Sequence, residues 1–64
     1  MAKYKVEFVD GSFPEFIEAD KVYPDKGVFF FQSIFISYGN IVSQVHRMIP
    51  MAQVRDVEFL REVD

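Results

Sequence analysis

The sequence predicts a mainly β domain, a small antiparallel sheet of five short strands curled into a barrel. Three observations lead there. Apolar residues recur with a period of two near the start of the chain; turn signals built on glycine punctuate it; β-branched and aromatic residues fill the stretches between them. At 64 residues the chain makes one domain, residues 1–64, close to the lower size at which a core alone sustains folding.

The first strand is "KYKVEFV", residues 3–9, with Tyr4, Val6 and Phe8 on one face and Lys3, Lys5 and Glu7 on the other. Asp10-Gly11 ends it and predicts a hairpin, because glycine tolerates positive φ. The return strand runs from about Phe16 to Tyr23, "FIEADKVY". Ile17 and Ala19 keep to one face, but Val22 follows three positions later instead of two, the phase slip of a β-bulge. "PDKG" at 24–27 predicts a turn: Pro24 fixes φ, Asp25 bonds nearby backbone, and Gly27 lets the chain leave at positive φ.

"VFFFQSIFISY", residues 28–38, has the composition of a strand but is apolar on both faces. Phe29, Phe31 and Phe35 lie on one side, and Phe30, Ile34 and Ile36 on the other. Such a strand needs cover on both faces, which a single small sheet cannot give. "YGN" at 38–40 is the next turn. "IVSQVHRMI", residues 41–49, admits two readings. Ile41, Val42, Val45, Met48 and Ile49 trace a helical stripe with Asn40 as N-cap, whereas the short length and the β-branched residues favour a strand. Strand is the first reading; a sheet with one short helix at about 41–49 is the alternative. Pro50 interrupts the pattern, and "PMAQ" suits a 3₁₀ turn with proline at its first position. "VRDVEFLREV", from Val54, predicts a last strand with Val57 and Phe59 inward and Arg55, Asp56 and Glu58 outward.

Two resemblances follow from these segments. "MIPMAQVRDVEFL", residues 48–60, resembles the end of an SH3-like barrel: a strand, Ile-Pro, a 3₁₀ turn, and a closing strand from Val54. It implies a fold and no activity. SH3 domains that bind proline-rich peptides use an aromatic groove that includes a Trp, and this chain has no Trp. "VEFVDGS", "IEADKVYPDKGVFFF" and "IPMAQVRDVE" resemble small uncharacterised proteins of actinobacteria and their phages. Where that group reads "DADxV", this chain has Glu18-Ala19-Asp20-Lys21-Val22, and its central hairpin is longer. The resemblance implies a small β-rich accessory protein.

The residues themselves argue against catalysis. Cysteine is absent, so disulfides, thiolate zinc sites and a cysteine nucleophile are excluded together. His46 is the one histidine, and Ser33, Ser37 and Ser43 lack the glycines of a nucleophile elbow. The carboxylate pairs Glu15/Glu18 and Asp56/Glu58 supply too few oxygens for calcium and read as solvated faces. Gly11, Gly27 and Gly39 stand too far apart to cradle a phosphate. The chain therefore reads as non-enzymatic, with no catalytic residue, no metal and no cofactor.

Net charge is -3, and most of the seven Lys and Arg have an acid close by in sequence, which is unlike a phosphate-binding face. Single-stranded nucleic-acid binding by a small barrel stays as the alternative function, since bases stack on Phe and Tyr. Residues 28–38 carry no base among their aromatics, however, and Lys3 and Lys5 form the one local basic pair. No stretch approaches the ~18–20 apolar residues of a membrane helix, and "MAKYKVEF" has no signal-peptide core, so a cytoplasmic protein of a bacterium or a phage-infected host is expected.

Half of the residues are apolar, more than an interior of this size encloses, and the surplus concentrates at 28–38. That surplus predicts a protein-interaction module. It would be a homo-oligomer or a phage-type accessory protein docked on a larger partner, with Phe29, Phe31, Phe35 and Tyr38 as the partner-binding candidates.

Overall fold

The computed structural model describes residues 1–64. It has strands β1 (Ala2–Phe8), β2 (Glu15–Ala19), β3 (Lys21–Asp25), β4 (Val28–Ser37), β5 (Asn40–Pro50) and β6 (Val54–Glu62), with a 3₁₀ turn (Met51–Gln53) before β6. The mainly β reading holds, with six strands where five were expected. They form two antiparallel three-stranded sheets, ordered β2-β1-β6 and β3-β4-β5, and no closed barrel.

The alternation in β1 does what its pattern requires. Ala2 and Val6 are buried, Tyr4 and Phe8 half-buried beside them, and Lys3, Lys5 and Glu7 lie on the outer face. β1 is the middle strand, pairing Tyr4 with Ile17 on β2 and Val6 with Val57 on β6. Val6 also pairs with Glu15, so the Asp-Gly segment sits in a wide loop and not in a two-residue hairpin. There the Asp10 carboxylate accepts the Ser12 N–H at 2.9 Å, and Gly11 takes φ +77°.

The single return strand expected over 16–23 is two strands in different sheets. Asp20 is a corner between β2 and β3, so the three-residue step from Ala19 to Val22 marks a change of sheet and not a bulge. At the corner the Asp20 N–H donates to the Gln32 carbonyl at 2.8 Å. The Asp20 carboxylate accepts the Ile34 N–H at 2.5 Å and lies 3.4 Å from the N-terminal ammonium. That backbone hydrogen bond and the ammonium hold its carboxyl below the usual aspartate range.

Two tight turns build the second sheet. Lys26-Gly27 (φ 50° and 78°) joins β3 to β4, and Tyr38-Gly39 (φ 50° and 77°) joins β4 to β5. Positive φ at both central residues is the type I′ geometry that matches strand twist. Pro24 is accommodated because β3 is an edge strand.

The alternative helix at 41–49 does not form; the segment is strand β5. A register shift explains its helical look. Phe31 pairs with Arg47 and Gln32 with Val45, which leaves His46 as the extra residue of a bulge. Positions 41, 43 and 45 share one face, and the bulge places 48 on that face next. An apolar spacing of four and then three is thus a strand with one inserted residue.

The core lies between the sheets. Val6, Ile17 and Ala19 come from one sheet, and Phe31 and Ile49 from the other, with Phe31 and Val6 fully enclosed. Tyr4 meets Phe31 edge-on at 6.2 Å. The Arg47 guanidinium ties the sheets at the rim, donating to both Glu15 oxygens at 2.6 and 2.7 Å. Six of 64 residues are buried, and the molecule measures 43 × 27 × 13 Å. Its radius of gyration is 12.7 Å, against ~11 Å for a compact domain of this length. The excess comes from a projection of the second sheet.

Candidate interaction surface

β3 accompanies β4 only from Val28 to Gln32. Beyond that point Ser33–Ser37 pairs with Asn40–Gln44 alone, as a two-stranded arm of ~17 Å. Two-stranded hairpins are marginal on their own, and this one is held at its base, where the Asp20 carboxylate satisfies the Ile34 N–H on the open β4 edge. No Asp, Glu, Lys, Arg or His occurs from Gly27 to Val45, although 27% of the chain is charged.

The outer faces of the two sheets differ sharply. On the β2-β1-β6 sheet the outer face holds Lys3, Lys5, Glu7, Glu18, Asp56 and Glu58. Lys5 and Arg55 both bridge to Glu7, at 3.2 and 3.4 Å. Phe16, the large apolar residue there, lies under the Lys3 ammonium at 5.6 Å. This is a solvated face.

On the β3-β4-β5 sheet the register aligns Tyr23 with Phe30 and Met48, and Ile36 with Ile41, all away from the core. Tyr23 and Phe30 stack at 5.4 Å and half bury one another. Val45 and Met48 continue that apolar surface toward the arm, and Ile34 (48% exposed), Ile36 (76%) and Ile41 (78%) carry it along the arm, with Gln32 and Ser43 the polar positions on the same face and nothing over them.

The four sequence-predicted contact residues do not form one surface. Phe31 is 0% exposed at the centre of the core and cannot reach a partner. Phe29 is half-buried against the same core. Phe35 shares their inward-facing side but lies on the arm beyond the core, 43% exposed, and Tyr38 stands wholly free at its tip. The apolar residues that line the open face, Ile34, Ile36, Ile41, Val45 and Met48, are not among those four. Even numbering in β4 was the available signal, but alternation alone does not say which side meets the core.

Glu15 is engaged by Arg47, while Glu18 lies on the opposite face of β2 opposite Lys3. The Arg47 guanidinium holds the Glu15 carboxyl below its ordinary value. His46 is exposed at the bulge, and no group of three or more His, Asp or Glu side chains is arranged to hold a metal ion. Two open grooves, about 310 and 260 Å³, flank the loop after β1, lined in part by Phe8, Asp10 and Gln53 and by Gly11, Pro14 and Arg55. No helix is long and apolar enough to cross a membrane.

No protein-family model matches the chain, and no curated protein or solved structure is significantly similar to it.

Proposed function

We propose that this protein is a non-enzymatic interaction module that docks on another protein surface through the outer face of β3-β4-β5 and its projecting arm. The observation that carries this reading is the contrast between the two outer faces. One is laced with ion pairs; the other leaves Ile34, Ile36, Ile41, Val45 and Met48 in solvent side by side. Contiguous exposed apolar surface on a small domain marks a contact site. Taking such a side chain from full exposure out of water gains ~1.5–3 kcal/mol, and these residues, 37 to 78% exposed, gain the corresponding part of it. The nucleic-acid alternative fares worse, because Lys21 is the one basic residue on this face and it stands beside Asp25, too little to meet a run of phosphates. We also read the architecture as an open SH3-like small barrel. Support comes from β2 and β3, which act as one strand bent across both sheets at Asp20, and from the 3₁₀ turn that precedes the last strand.

A benzophenone amino acid placed at position 36 tests the docking role in the expressing cell, with position 16 on the charged sheet as the control. Illumination is expected to give a discrete protein adduct from 36 and none from 16. No adduct from 36, or an adduct to nucleic acid, would refute the reading.

A further inference from the structure

We infer that the molecule covering this face is a second copy of the chain, packed sheet against sheet about a two-fold axis; the inference rests on the docking reading above. Charge is the first reason. A two-fold contact sets each side chain against the same patch of its twin, so a charged face meets its own sign. This chain carries -3 overall, yet Gly27–Val45 has no charge. The outer face therefore allows approach of a like-charged copy. The charges at its margin, Lys21 and Asp25 on β3, are of opposite sign, and the Lys21 ammonium already rests over the Tyr23 ring at 5.2 Å.

Area is the second reason. Ile34, Ile36, Ile41, Val45 and Met48 are 48, 76, 78, 37 and 57% exposed. Taking ~150 Å² for each when fully exposed, the low end of the range for aromatic side chains, and adding the visible parts of Tyr23 and Phe30, they offer at most ~600 Å² per copy. Two copies could bury up to ~1,200 Å², the lower end of specific interfaces. Area alone does not set affinity, so the strength of the contact is what a concentration series must read.

Shape agrees. The molecule is 13 Å along its shortest axis, two thin layers with a small interior. Packing the outer faces ~10 Å apart, as sheets in sandwiches do, adds a second apolar layer between the copies. The contact is isologous: isoleucines of one copy meet isoleucines of the other, so the assembly closes at two.

Sedimentation equilibrium over a concentration series tests this, with far-UV circular dichroism to verify folding of each variant. The wild type is expected to fit a monomer–dimer equilibrium. Ile36→Lys and Ile41→Lys should each weaken it by at least tenfold, while Phe16→Lys, on the charged sheet, should leave it unchanged. A monomer mass for the wild type at every concentration overturns the inference. So does a dimer of undiminished affinity in both isoleucine variants with native spectra. A wild-type monomer that still yields an adduct to a different protein at position 36 removes the twin copy and keeps the docking role.

Discussion

Arg47→Met should separate the two sheets energetically without removing the packing of the arginine stem. In the native molecule Arg47 on β5 holds Glu15 on β2 through Nε to Oε2 at 2.6 Å and a second bond at 2.7 Å. At an effective dielectric of about 20 a bare pair at 4 Å is worth ~4 kcal/mol. These side chains are 44% and 33% exposed, however, so water and salt screen most of that. Exposed pairs measure ~0.2–1 kcal/mol, and bidentate, charge-assisted geometry favours the upper end, so the coupling should be about 1 kcal/mol. For a domain this small that is a fall in Tm of about 4–8 °C. The assay is thermal unfolding of wild type, Arg47→Met, Glu15→Gln and the double variant at neutral pH, read as a double-mutant cycle. Acid supplies the second readout. Arg47 lowers the Glu15 carboxyl below 4.5, so the pair's stability is complete above that ordinary value. It is lost as pH falls through the lowered native value, and the coupling should vanish there. A coupling below about 0.3 kcal/mol at neutral pH, or one that survives full protonation of Glu15, would refute the clamp.

Two further outcomes follow from the packing and the turns. Phe31→Ala removes the largest enclosed side chain and should cost about 3–5 kcal/mol. A domain of this size has little more than that to lose, so loss of cooperative thermal unfolding is the expected result, and a native-like melt would show the core to lie elsewhere. Tyr38→Asn should act in the opposite direction, since Tyr38 is fully exposed at φ 50° in a type I′ turn, where Asn-Gly is the preferred pair. A gain of about 1 kcal/mol, or about 4–8 °C in Tm, is expected by calorimetry; an unchanged or lowered Tm would mean that the ring contributes contacts of its own.

Much of the fold was legible because local chemistry dictates it. The alternation of Tyr4, Val6 and Phe8 fixes the buried face of β1, and Gly27 and Gly39 fix the two tight turns. The Ile-Pro step before Met51 likewise announced the 3₁₀ turn and the closing strand. What escaped was non-local. A three-residue apolar step has two causes, a bulge or a change of sheet, and Ala19 to Val22 is the second while Val45 to Met48 is the first. Only the pairing partners tell them apart. The same limit applies to the candidate surface. Phe29 and Phe31 are as eligible for solvent as Phe30 and Ile36, until Val6, Ile17 and Ala19 of the other sheet close over the odd-numbered side of β4.

The arm has an edge as well as a face. β6 lines its border with Arg55, Glu58 and Arg61, and β3 is short and carries Pro24. From Ile41 to Val45 the border of β5 has neither charge nor proline, two of the devices that discourage stray strands from joining a sheet. A strand that joins there from another molecule offers an equivalent border to the next, so this route, unlike a symmetric pair, has no natural end and leads toward ribbons. The bulge at His46 confines the hazard to a few residues, and a companion seated over the isoleucines would crowd newcomers out. Keeping the arm occupied is then a matter of the protein's own solubility as much as of its role.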